Sequence, residues 1–234
     1  MPDVTGTLSA LVVAMVGFVG SHFLLAWPPV RSRIVAALGE RPFQGAYSLV
    51  SVLFFVWVIA AFRAAPTSAL WDLGLAGRAV AMALMPIAVV LGVIGLATPN
   101  PTSVGGERFD QADRATRGIL TITRHPFLWG VTLWAVAHLA ANGDSASTVL
   151  FGGMLVLALG GMAAIDHKRA LRMGEAWRAF AAKTSLVPFA AAAAGRVKVD
   201  WKRIGTWRLA LGIVIYLILL FSHGWLFGVP AIVR

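Results

Sequence analysis

The sequence predicts an all-α fold: a polytopic integral membrane helical bundle of about six transmembrane helices, with a cytoplasmic amphipathic helix. Three observations predict it. Of the 234 residues, 59% are hydrophobic and 13% charged, where soluble domains run about 45–50% and about 25%, and the mean hydropathy is +0.79. Six stretches avoid Asp, Glu, Lys and Arg for close to the roughly 20 residues that cross a hydrocarbon core. Basic residues then gather in alternate connections. Together these exclude an ordinary soluble globule, and the high hydrophobicity excludes disorder. With no cysteine, a disulfide framework, an iron–sulfur cluster, a thiolate zinc site and a thiol nucleophile are all excluded.

The spans are expected near 6–27, 43–62, 79–98, 125–142, 146–165 and 207–228, within one domain covering 1–234. The first has no basic residue before Arg31 and no small-residue cleavage site, so it is expected to be a permanent helix rather than a cleaved signal. Residues 28–38 begin with two prolines and read as an interfacial turn or short helix. Gly39-Glu40-Arg41-Pro42 makes a charged turn before the second span. Pro99 and Pro101 end the third near Thr98. The fourth is the shortest, and Asn142-Gly143-Asp144 is hairpin punctuation before the fifth. In the long connection 166–205, Ala170, Met173, Trp177 and Phe180 recur at helical spacing among basic residues. That pattern suits a helix lying on an anionic leaflet, and equally a solvated helix joining two spans.

Orientation follows from the basic residues of the loops. Three (Arg31, Arg33, Arg41), four (Arg108, Arg114, Arg117, Arg124) and ten (Lys168 through Arg208) fall on one side, seventeen in all, against Arg63, Arg78 and Arg234 on the other. In a bacterial inner membrane the basic side is cytoplasmic, so both termini are expected in the periplasm. The net charge of +10 is thus a mark of sidedness. The expected partners are the lipid bilayer and a hydrophobic small molecule, with no nucleic acid.

Ionisable groups inside a bilayer are costly and mark function by default. His22 lies in the first span, His125 and His138 in the fourth and His223 in the last, with His167 in the basic loop. Imidazoles on different helices are the usual means by which a bundle holds haem iron. Zinc is disfavoured because carboxylates and cysteines are lacking nearby, and without CxxCH any haem would be b-type. On straight helices, His22 and His125 lie about 9 and 12 Å to the cytoplasmic side of their span midpoints, and His138 about 7 Å to the other side. Depth alone therefore pairs His22 with His125. No phosphate loop, Ser/His/Asp arrangement or paired-carboxylate pattern is present.

Ser21-His22, Leu38-Gly39-Glu40-Arg41-Pro42-Phe43, Trp71, GILTITRHP (118–126), Trp134 to His138, Asn142-Gly143, Asp166, Gly174-Glu175, KTSLVPFA (183–190), Gly195-Arg196 and His223 form an ordered set over nearly the whole chain. In these the sequence resembles the NnrU family and its relative, the plant and cyanobacterial 15-cis-zeta-carotene isomerase. The resemblance implies an integral membrane fold and, on the isomerase side, haem b with axial histidines at His22 and His138, which would be catalytic. His125, Arg124 and Trp134 complete the expected cofactor site, with His125 the physical rival as iron ligand and Trp134 shaping a substrate slot. The plant enzymes carry Cys three residues before the second histidine. Here that position is Ala135, which removes any thiolate ligand exchange. On the NnrU side the resemblance implies a non-catalytic accessory role in nitrite and nitric oxide respiration. Arg124-His125-Pro126-Phe127-Leu128-Trp129-Gly130 is also similar to the RHPxYxG pattern of isoprenylcysteine and phospholipid methyltransferases, which would place S-adenosylmethionine at His125. Loss of the tyrosine and of the acidic pair, reduced to Asp166-His167, points to shared ancestry rather than retained methyl transfer.

Overall fold

The computed structural model describes residues 4–103 and 116–232. Arg108, Arg114 and Arg234, counted above for orientation, lie outside the described residues. The chain is all-helical, and the one extended pairing among the described residues is an isolated antiparallel bridge between Ala69 and Asp144. Among the described residues, five helices are long and apolar enough to cross a membrane: α1 (Leu8–Ala26), α3 (Glu40–Ala64), α4 (Gly74–Ala97), α6 (Ser145–Met173) and α9 (Thr206–Phe227). Between them lie α2 (Pro28–Leu38), α5 (Pro126–Ala141), α7 (Glu175–Lys183) and α8 (Ala190–Ala193). The expected fourth span is α5, which is apolar but only 16 residues long, about 24 Å at 1.5 Å per residue. The count of spans long enough to cross is therefore five, with one shorter helix.

Local chemistry sets the helix ends. The Thr7 hydroxyl caps α1 by accepting from the Ala10 N–H at 3.0 Å. Trp27 is extended, as the residue before a proline must be, so the chain leaves α1 and re-enters a helix at Pro28. Glu40 opens α3 and Arg63 closes it, each with the sign that the helix dipole favours.

The chain divides into two compact units: Met1–Ala81 with Ala135–Ala164, and Met82–Trp134 with Ile165–Arg234. In the first, α1 and α3 run antiparallel. A Cβ on Gly17 would meet the Phe54 ring, Phe18 lies 5.8 Å from Phe55, and His22 lies 5.6 Å from Tyr47. The N-terminal part of α6 runs parallel to α1, since Cβ atoms on Gly153 and Gly160 would meet Met15 and Phe23 respectively. The connection after α3 folds onto the α5–α6 turn. The Gly143 carbonyl accepts from the N–H groups of Leu70 (2.7 Å) and Trp71 (3.0 Å), and the Trp71 indole donates to Leu139 O at 3.1 Å. Gly143 permits this approach, because a Cβ there would sit 1.8 Å from the Trp71 carbonyl oxygen.

In the second unit, α4 and α5 cross closely through small residues, as membrane helices do when van der Waals packing must replace the hydrophobic effect. A Cβ on Gly95 would fall 2.4 Å from the Phe127 nitrogen, and one on Gly130 2.7 Å from Ala88 O. Below this crossing, Ile94, Ile119, Leu120, Ile122, Trp177, Phe180 and Ile204 form a buried cluster. The apolar face of α7 thus packs inward, onto the 3-10 turn Gly118–Thr121 and Ile204. Of the two readings of that amphipathic segment, the one that lays Trp177 and Phe180 on the leaflet is not what the fold builds.

Candidate functional site

The sequence-predicted residues fall into two groups, one in each unit. In the second unit, Arg124 and His125 precede α5 and Asp166 lies on α6, just past its apolar stretch. The carboxylate is clamped on both oxygens. Arg124 donates to Oδ2 through Nε (2.8 Å) and Nη2, and His125 donates Nε2–H to Oδ1 at 2.7 Å. The His125 side chain is 1% exposed, and the Arg124 guanidinium also lies 5.8 Å from the Trp177 ring centroid. Charge-assisted bonds of this kind are short and strong, and breaking one side of a buried pair strands the other.

The backbone around this cluster is fixed from three directions. Arg124 O accepts from the Thr102 hydroxyl at 2.7 Å, and Arg124 N–H donates to Ser185 O at 3.0 Å. Leu186 O accepts both from the Thr123 hydroxyl (2.9 Å) and from the Trp129 indole (2.8 Å). The motifs GILTITRHP and KTSLVPFA, far apart in the chain, are therefore two halves of one hydrogen-bonded joint. Sequence reasoning finds Arg124 and His125 but misses that Asp166 holds both. The acidic residue in the methyltransferase-like pattern is the signal that points there.

His22 and His138 belong to the first unit. His22 donates Nδ1–H to the Phe18 carbonyl at 2.7 Å, and its ring lies edge-on to Phe18 (4.6 Å) and Tyr47 (5.6 Å). A backbone carbonyl on one ring nitrogen is the arrangement that orients a metal-binding histidine and leaves Nε2 with its lone pair. His138 stacks on Phe151 at 4.6 Å. The two histidines lie at different levels. Met15 packs against Gly153 and Phe23 against Gly160, so His22 sits seven residues past the Met15 level while His138 sits at Phe151, two residues before it. Nine residues of helical rise is roughly 13 Å, whereas two axial imidazole nitrogens on one iron lie about 4 Å apart. In this packing a single iron does not reach both His22 and His138. His125 has its Nε2 engaged by Asp166. Trp134 is half-buried on α5. Among the described residues no three His, Cys, Asp or Glu side chains converge as a metal site.

A model of the family described as NnrU protein matches residues 10–231. The chain belongs to the NnrU family. It is also similar to the chloroplastic 15-cis-zeta-carotene isomerases of Zea mays, 37% identical over 82 residues, and of Arabidopsis thaliana, 35% identical over 79 residues. These matches cover 35% and 34% of this chain and 22% of each relative, so the chain spans about a fifth of the length of the curated relatives it matches. No solved structure matches. Membership fits the multi-pass helical fold, and it places the ordered motifs of the sequence within one family.

Proposed function

We propose that this NnrU-family chain is a cis–trans isomerase of an apolar polyene dissolved in the membrane, a compound of the 15-cis-zeta-carotene kind, with haem b held on His22. The observation that carries the reading is the similarity to the maize isomerase over 82 residues; the oriented His22 ring supports it. When bound, a reduced haem would supply electron density that lowers the bond order of a neighbouring double bond and lets it rotate without net redox change. The chain's own residues hold and shape. The Phe18 carbonyl fixes the His22 tautomer, and the Phe18 and Tyr47 rings fix its plane. One turn along α3 from Tyr47, the side chains of Val50, Leu53, Phe54 and Trp57 line a shallow apolar depression on that helix. The Arg124–Asp166–His125 cluster serves to lock the basic-side joint. The setting of the reading is a bacterial inner membrane with the basic loops cytoplasmic and both termini periplasmic.

A reduced-minus-oxidised optical spectrum of the purified protein, expressed with haem feeding, tests the reading. A Soret band is expected, lost in His22→Ala and kept in His138→Ala. Expression in a host that accumulates the 15-cis polyene is expected to convert it, as followed by chromatographic separation of isomers. A protein with neither band nor conversion refutes the proposal. One observation favours a second reading: the NnrU match covers residues 10–231, far more of the chain than the isomerase similarity. Under that reading the protein is an accessory of nitrite and nitric oxide respiration, and its deletion lowers both reductase activities. Unchanged activities remove it.

A further inference from the structure

The second unit buries Trp177, Phe180 and Ile204 in its cluster yet leaves large apolar side chains of the same region outside. Val187 is 55%, Phe189 47% and Trp201 63% exposed. Phe189 and Trp201 lie beside each other, their ring centroids 6.4 Å apart. Phe189 is also the one non-glycine residue with positive φ among the described residues, at 64°, a backbone region costly for a side chain with a Cβ. Hydrogen bonds hold it there: Phe189 N–H donates to Ile122 O (2.8 Å), Ala193 N–H to Phe189 O (2.8 Å), and Ala191 N–H to the Ser185 hydroxyl (3.0 Å). The fold thus spends backbone strain to present an aromatic ring outward.

Positive charge flanks Trp201 in the chain: Lys198, Lys202 and Arg203 are all exposed, and Arg203 lies 3.8 Å from the Asp200 carboxylate. The one acid between 187 and 208, Asp200, caps the 3-10 turn Trp201–Arg203 by accepting from the Arg203 N–H at 3.2 Å. Three residues on, α9 begins at Thr206, and Trp207 in its first turn is exposed. The patch is therefore continuous with the end of a membrane span, at its basic side, where aromatic rings settle at headgroup level and cations meet anionic lipid.

We propose that residues 187–203 form a membrane anchor in which Val187, Phe189 and Trp201 enter the headgroup layer while Lys198, Lys202 and Arg203 bind anionic phospholipid. This is independent of the catalytic reading. It also moves the leaflet contact from α7, whose apolar face is occupied, to the loop that follows it.

The absence of cysteine allows a clean test on the full chain in nanodiscs containing an anionic lipid. Single variants Phe189→Cys, Trp201→Cys and Ala182→Cys, the last on the exposed face of α7, carry a nitroxide label. Collision with oxygen relative to a water-soluble nickel chelate is expected to be several-fold higher at 189 and 201 than at 182. Separately, the triple variant Lys198→Gln, Lys202→Gln, Arg203→Gln is expected to lower the enrichment of anionic over zwitterionic lipid in the co-purified annulus roughly tenfold. Labels at 189 and 201 as open to nickel as at 182 overturn the proposal. So does dipolar broadening between labels of two copies, which identifies a protein partner instead, or an unchanged annulus in the triple variant.

Discussion

Replacing Gly143 by alanine tests the packing of the first unit at its tightest point. The added Cβ would sit 1.8 Å from the Trp71 carbonyl oxygen and 2.7 Å from its carbonyl carbon. Both are backbone atoms, so the connection must move by well over an ångström to reach ordinary contact. That movement breaks the pair of bonds by which Leu70 and Trp71 hold the Gly143 carbonyl, each worth about 0.5–1.5 kcal/mol net. Forcing a methyl into a packed joint adds about 1–3 kcal/mol, for a total of roughly 2–6 kcal/mol. For a chain of this size that lowers Tm by roughly 4–24 °C. The assay is thermal unfolding in detergent, followed by the fluorescence of the nine tryptophans; a thiol-reactive dye has nothing to label here. Gly152→Ala is the control: it lies on α6 with open space where its Cβ would stand, and alanine raises helix propensity there. A Gly143→Ala protein that melts within about 2 °C of the Gly152→Ala protein, on the scale of that same relation, would refute the reasoning.

Asp166→Asn removes the charge that Arg124 and His125 share and is expected to cost about 2–4 kcal/mol. The same melt reads it, and Asp166→Glu should restore part of the loss. Trp177→Ala leaves a void in the buried cluster and uncovers the Arg124 guanidinium, at about 3–5 kcal/mol; limited proteolysis should then cut between 174 and 205 at temperatures where the parent chain resists. Gly130→Val at the α4–α5 crossing is expected to abolish the monodisperse peak in size-exclusion chromatography, since both neighbours are main-chain atoms.

Much of the architecture is legible in the sequence because hydrocarbon imposes its own rules on composition and length. The charge-free stretches locate the apolar helices, and Pro99, Pro101 and the Asn142-Gly143-Asp144 turn mark where two of them stop. The weak fourth span shows its shortness in the sequence, and α5 is indeed 16 residues. The depth difference between His22 and His138 is also legible, since it needs only helical rise. What periodicity does not reveal is what covers an apolar face. Trp177 and Phe180 recur at helical spacing whether lipid or protein lies against them, and only the tertiary fold brings up Ile119 and Ile204 to bury them. The Asp166 clamp is hidden for a similar reason. Its partners are 41 and 42 residues away, and nothing local marks an acid as shared.

The length of α6 carries one further consequence. At 29 residues the helix is about 44 Å long, well beyond the roughly 30 Å of hydrocarbon, and its charged residues begin only at Asp166. It therefore works as a ruler that sets how far beyond the oily layer the Arg124–Asp166–His125 cluster stands. Deleting one turn of its apolar part, residues 160–163, would draw Asp166, and with it Arg124 and His125, about 6 Å toward lipid. The penalty would fall on every one of them at once, so in this protein the spacing between membrane and charge is as tightly specified as any side-chain contact.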